Sequence, residues 1–344
     1  MVRFDCDYME GAHPEIIQKL VQTNLEQTPG YGFDSYTKNA ERLILEACGL
    51  KNGRVFFLVG GTQTNATVID ALLSHCEGVL ATEAAHINVH ECGAIEASGH
   101  KVITLPEHSG KLCADEIEDY ASRFYADETY PHMVFPGMVY ISHPTEYGTL
   151  YSLSELERIS EVCRSRNIPL YLDGARLAYG LASAASDVSL QDIARLCDAF
   201  YIGGTKCGAL FGEAVVIANP ARMPRFFSIV KQHGALLAKG RLLGLQFETL
   251  FTDNLYSRIG SHGIEMAMRL KFVFKQHGYK LFFDSPTNQQ FFVLPNHVIE
   301  RLKENVSFEL WGAPGHEETP VRFVTDWATN PESIDNLDKY LSEI

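Results

Sequence analysis

Between Arg54 and Pro220 the chain alternates short apolar runs with stretches of helical period. "VFFLVGG" gives way to "TQTNATVIDALLSH", "GVLATE" to "HINVHECGAIEASG", and "MVYISHP" to "SLSELERISEVCRSRN"; "PLYLDGAR", "DAFYIGGTK" and "AVVIANP" complete the series. A strand that is apolar at every position must be covered on both faces, and helices between successive strands supply that cover. The pattern predicts an α/β domain built on a mostly parallel sheet.

After about residue 250 the texture changes. A long helical stretch over 254–277 leads to "NQQFFVLP", a helix near 297–304, "VSFEL", "PVRFVTDW" and a last helix that Asn330 caps with Pro331 at its first position. Residues 251–344 therefore read as a smaller C-terminal α+β domain, and residues 1–250 as an N-terminal segment with the large domain. A chain of 344 residues suits one large and one smaller unit.

A net charge of −14 argues against a nucleic-acid partner, which needs a basic face to displace counterions. The opening "MVRFDCDYMEGAHPE" is acidic where a signal peptide is basic, and no apolar run approaches the ~18 residues of a membrane span. A cytoplasmic protein without membrane or nucleic-acid partners is the expectation. The eight cysteines are scattered without a C-x-x-C pair and are expected to be free thiols, mostly buried.

In an open parallel sheet, ligands bind beyond the carboxyl ends of the strands, so the residues just after each apolar run matter most. They are Gly60, Gly61 and Thr62; His86; His143; Asp173 and Arg176; and Lys206. "LVGGTQTN" offers open backbone N–H groups and a helix start, with Thr62 able to cap it, which suits a phosphate or simply makes a tight turn. Asp173 either pairs internally with Arg176 or faces a cationic ring nitrogen of a ligand. Lys206 is either a solvated charge or an amine made nucleophilic by desolvation and neighbouring cations. A phosphate cradle, an acid and an amine at strand ends are together the parts that hold pyridoxal phosphate (PLP). A separate reading takes His86 and His90, four apart in "HINVHE", as ligands of a metal hydrolase, but the H-E-x-x-H order and a third ligand are missing.

The chain resembles the threonine aldolase and aromatic β-eliminating lyase family of fold-type-I PLP enzymes. The resemblance runs through "FDCDYMEGAHP", "LVGGTQTN", "AAHINVHECGAIEASGH", "ISHPTEYGTLYSLSEL", "LYLDGARL", "GGTKCGALFGEAVV" and "PVRFVTDWAT", almost the whole chain. It implies the PLP-dependent transferase-like fold, with Lys206 as the Schiff-base lysine, Asp173 at the pyridine nitrogen and Arg176 at the 3′-oxygen. Gly61 and Thr62 hold the phosphate with Arg241 close by, His86 stacks on the ring, and His143 stands near the substrate's β-hydroxyl, whose proton His143, His86 or a bound water would remove. Arg322 clamps the substrate carboxylate, and Tyr31 and Asp7 belong to the substrate side of the site. "ISHPTEYG" departs from the usual "ENTHN", "DCDY" keeps only the acid of "RSDT", and Phe33 and Asp34 follow where acids are usual. The implied reaction is cleavage of Cα–Cβ in a β-hydroxy-α-amino acid, with β-elimination from aromatic or β-substituted amino acids as the alternative. A homodimer or homotetramer with shared sites is implied as well.

Overall fold

A computed structural model describes residues 1–344. Seven strands form the central sheet: β1 (Arg54–Leu58), β2 (Glu77–Thr82), β3 (Lys101–Leu105), β4 (Phe135–Ser142), β5 (Leu170–Asp173), β6 (Ala199–Gly203) and β7 (Glu213–Ile217), in the spatial order β1-β7-β6-β5-β4-β2-β3. Strands β2 to β6 pair in parallel, whereas β7 runs antiparallel to both β1 and β6. Successive residues of each strand feed opposite faces. Val139, Ile141, Leu170 and Leu172 join one core, and Met138, Tyr140, Tyr171 and Tyr201 the other. The runs are apolar at every position because each strand serves two cores.

Two features escape the periodicity. Lys101–Leu105 is a further edge strand, and "HINVHECGAIEASG" breaks into two single-turn helices, His86–Val89 and Ala94–Ala97, with Cys92 and Gly93 at positive φ between them.

A second, antiparallel sheet lies in the C-terminal part, made of β8 (Lys280–Phe283), β9 (Gln289–Pro295), β10 (Glu309–Leu310) and β11 (Glu318–Val324), in the order β10-β11-β9-β8. The helices Leu255–Gln276 and Pro331–Ser342 pack with it around Phe274, Phe292 and Phe323. Asn330 caps the last helix and Pro331 opens it, as the sequence predicts. The start of the chain reaches this sheet: Phe4 is buried in its core, the Phe4 N–H donates to Ser307 O, and Val324 N–H donates to Phe4 O. This α/β sheet plus smaller antiparallel sheet is the architecture expected from the sequence. No helix is long and apolar enough to cross a membrane. All eight cysteines are free, with Cys48, Cys163, Cys197 and Cys207 buried and Cys76 and Cys92 exposed.

Candidate active site

The ends of β1, β4, β5 and β6 open into a crevice of about 270 Å³, lined by Gly61, His86, Ser142, Glu146, Asp173, Arg176, Tyr201, Thr205, Lys206 and Glu213 among others. Because β7 is reversed, its first residue, Glu213, lies on the same edge as the last residues of its neighbours, opposite Leu58 and Gly203. Strand polarity thus gathers residues more than 150 positions apart.

Lys206 is delivered by a tight loop after β6. A side chain on Gly203 would strike Ala175 O at 2.2 Å, and one on Gly204 would strike Gly212 O at 2.6 Å. Glycine alone permits that approach. Gly204 N–H donates to Gly212 O and to Glu213 Oε2, both at 3.0 Å, and Lys206 O accepts from the Tyr179 hydroxyl at 2.7 Å. Burial, with the Arg176 charge behind it, holds the Lys206 amine below its ordinary pKa. Next to it, Cys207 is buried and its thiol is pushed up to about 12, which leaves it no thiolate chemistry.

Asp173 ends β5 and is 5% exposed. Oδ2 accepts from the Tyr140 hydroxyl at 2.7 Å and from Asn65 Nδ2 at 3.0 Å, and Oδ1 accepts from Ala175 N–H at 3.0 Å. Burial alone would raise its pKa, but the His86 charge and the donors around it bring it below the ordinary value. All three donors are neutral, so a carboxylate that stays ionised is left to face whatever enters the crevice.

The internal Asp173–Arg176 pair is not formed. Arg176 instead holds Asp7 at two points, Nε to Oδ2 at 2.6 Å and Nη2 to Oδ1 at 3.0 Å, and Asn288 Nδ2 adds a donor to Asp7 at 2.9 Å. Asp7 is wholly buried and does not line the crevice, so its expected place beside the substrate is corrected to that of a support for Arg176.

The helix Gly61–Leu72 starts at the crevice with Gly60, not Thr62, at its cap position and with no side-chain cap. Thr62 is the second helical residue and exposed. The uncapped first turn has N–H groups free for an anion. His86 lines the opposite wall, with Nδ1 2.7 Å from Glu91 Oε1 and its backbone N–H donating to Glu146 Oε1 at 3.1 Å. Its ring is 5.5 Å from that of His90, but no group of three His, Cys, Asp or Glu side chains gathers there or elsewhere to hold a metal ion.

His143 is misplaced by the sequence reading. It is fully buried and does not line the crevice; Nδ1 accepts from Tyr151 N–H at 3.3 Å and Nε2 has no partner. Burial lowers its pKa to about 4. Three residues on, Glu146 occupies the crevice wall instead.

Arg322 sits on β11 directly opposite Glu309 and Phe291. Its Nη1 donates to Gln289 Oε1 at 2.9 Å, Nη2 pairs with Glu309, and Trp311 lies against the guanidinium at 5.3 Å. Tyr31 and Arg241 do not line the crevice of their own chain. Tyr31 borders a separate pocket with Phe33 and Phe227, and Arg241 donates Nη2 to Thr23 O while Nη1 is buried without a partner.

The sequence reading missed Asn65, Tyr140, Glu91, Glu146 and Glu213. Asn65 stands four residues after Gly61 on one helix, so the i, i+4 rule could have found it. Tyr140 is hidden in an apolar run because a tyrosine counts as apolar.

The beta-eliminating lyase family model matches residues 5–296. The chain is 29% identical over 341 residues to the low specificity L-threonine aldolase of Pseudomonas aeruginosa, covering 97% of this chain and 95% of that one. The solved structure of Leishmania major threonine aldolase superimposes with a TM-score of 0.96 at 42% identity, covering 100% of this chain and 99% of that one. A putative aromatic amino acid beta-eliminating lyase/threonine aldolase from Exiguobacterium, at 18% identity and a TM-score of 0.78, shares the fold. With the lysine and acid at neighbouring strand ends and the family match covering residues 5–296, the whole central sheet included, the chain belongs to the beta-eliminating lyase family.

Proposed function

We propose that the protein is a PLP-dependent aldolase that cleaves Cα–Cβ of β-hydroxy-α-amino acids, releasing glycine and acetaldehyde from L-threonine or L-allo-threonine. The observation that carries this reading is one crevice holding Lys206, Asp173, Arg176, His86 and the uncapped start of the Gly61–Leu72 helix. The full-length likeness to threonine aldolases selects the reaction.

These residues fit the cofactor. Asp173 is an ionised carboxylate whose hydrogen-bond donors are all neutral, Lys206 is a desolvated amine, and the N–H groups of Gly61 and Thr62 await an anion. PLP in this place supplies an electron sink for the bonds to the substrate's Cα. Asp173 holds a proton at the pyridine nitrogen, and the donors from Tyr140, Asn65 and Ala175 fix its orientation. Lys206, its amine held below the ordinary pKa by burial and by the Arg176 charge, would be the nucleophile toward the cofactor's carbonyl. Arg176, locked by Asp7, would approach the cofactor's 3′-oxygen, and His86, held at Nδ1 by Glu91, would present its imidazole to the ring face. Arg322 takes the substrate carboxylate with its planar fork.

A homodimer or homotetramer with shared sites accounts for Tyr31 and Arg241. Both stand outside their own crevice, Arg241 keeps a buried unpaired donor, and Tyr31, Phe33 and Phe227 expose apolar surface. We place the domain division at 250/251, with Val2–Phe4 crossing to the smaller domain. A cytoplasmic location agrees with eight unpaired thiols.

Purified holoenzyme supplied with L-threonine or L-allo-threonine tests the reading. Equimolar glycine and acetaldehyde are expected; a 2-oxo acid with ammonia in their place would identify an eliminating lyase.

A further inference from the structure

Glu146 has no assigned part, yet it lines the crevice beside Ser142, Asp173 and Lys206. Its Oε1 is fixed by two donors, the Ser142 hydroxyl at 2.7 Å and the His86 backbone N–H at 3.1 Å. No protein donor is bound to Oε2. Most of the other acid–base groups of the crevice already have a part in the reading above, Asp173 and Lys206 holding the cofactor and His86 stacking on its ring. Glu213 accepts from Gly204 N–H, Asp173 accepts from three donors, and His86 Nδ1 is bound to Glu91. His143, on the same loop, is sealed away from the crevice.

We propose that Glu146 is the catalytic base that removes the proton from the substrate's β-hydroxyl. The inference rests on the aldolase reading above. Oε2 takes the hydroxyl proton, the O–H electron pair becomes the second bond of the aldehyde carbonyl, and Cα–Cβ breaks with its pair left at Cα. One proton returned to that carbon gives glycine, so no oxidant, reductant or water is consumed. Burial and the neighbouring Asp173 charge raise the Glu146 pKa, which strengthens it as a base while leaving its position unchanged.

Glu146→Gln tests the assignment, because the amide oxygen still accepts from Ser142 and His86 but cannot act as a base. Cleavage of L-threonine is expected to fall about 10²-fold or more, the usual worth of a positioned base. Three other readouts are expected to stay within about twofold, too little to reflect a lost charged hydrogen bond. They are the affinity of the cofactor-free chain for PLP, the affinity of the loaded enzyme for glycine, and the exchange of glycine's Cα proton with D2O. That exchange breaks no carbon–carbon bond and involves no hydroxyl. Cleavage retained near the wild-type rate overturns the proposal. So does a parallel loss of cleavage and glycine exchange, which would make Glu146 a prop for Ser142 and His86. Should the Gln variant not fold, Glu146→Ala with added formate takes its place: about tenfold recovery of cleavage is expected, and none overturns the assignment. A wild-type enzyme that releases no glycine and acetaldehyde defeats the aldolase reading itself, before any variant is made.

Discussion

Arg176 and Asp7 meet through two parallel N–H···O contacts although 169 residues separate them, and the carboxylate is wholly buried. Burial alone would raise the Asp7 pKa, but the charges of Arg176 and Lys206 bring it below its ordinary value. Removing one partner strands the other charge in a desolvated place. Asp7→Ala is therefore expected to cost about 3–5 kcal/mol in urea unfolding and to weaken PLP affinity. A variant with unchanged stability would show that solvent reaches Arg176 freely.

Lys206→Ala should behave in the opposite way toward stability. The amine is desolvated and its pKa depressed by burial and by Arg176, so its removal relieves strain on the folded state. The melting temperature of the cofactor-free variant should equal or exceed that of the wild type. The PLP absorbance band that borohydride bleaches should vanish with activity.

His143 gives the fold an acid-labile point. Its folded pKa of about 4 lies below the free value of 6.5, so the unfolded chain binds the proton more tightly. Stability should rise with pH across that window and be lost as pH falls through it, by on the order of 3 kcal/mol for this group. In His143→Gln the difference in unfolding free energy between pH 7 and pH 4 should shrink by about that amount. Equal differences would mean that His143 protonates freely.

Glu309 holds Nη2 of Arg322, the residue we propose for the substrate carboxylate, and Gln289 holds Nη1. The pair faces partly outward, with Glu309 46% exposed, so its worth is small. Glu309→Gln should lower KM for threonine about two- to fivefold with kcat unchanged. Arg322→Lys, losing the planar two-point fork, should raise KM about tenfold or more. A change confined to kcat in either variant would detach Arg322 from substrate binding.

Where the sequence was legible, a simple rule linked residue to position. Lys206, Asp173 and Gly61 each follow an apolar run, and a strand end in a parallel sheet faces the ligand crevice. The reversal of β7 was not legible, since apolar periodicity carries no direction, and with it went the placement of Glu213. Asp7 and Arg176 could not be paired because nothing local links them. The family resemblance put His143 near the β-hydroxyl, yet backbone direction after β4 turns the histidine inward and the Glu146 carboxylate toward the crevice.

The strap from Phe4 to Asp7 also sets an order of events during synthesis. Asp7 is translated early, but Asn288, one of its donors, emerges 281 residues later, and Val324, which closes on Phe4, later still. At about 5–20 residues per second the wait is roughly a quarter of a minute to a minute. Lys206 and Arg176 are made before Asn288, and until it emerges the clasp that steadies Arg176 is incomplete. Nascent chains stalled before Asn288 should therefore stay colourless when PLP is added, and the holoenzyme awaits the segment that carries Asn288 and Val324.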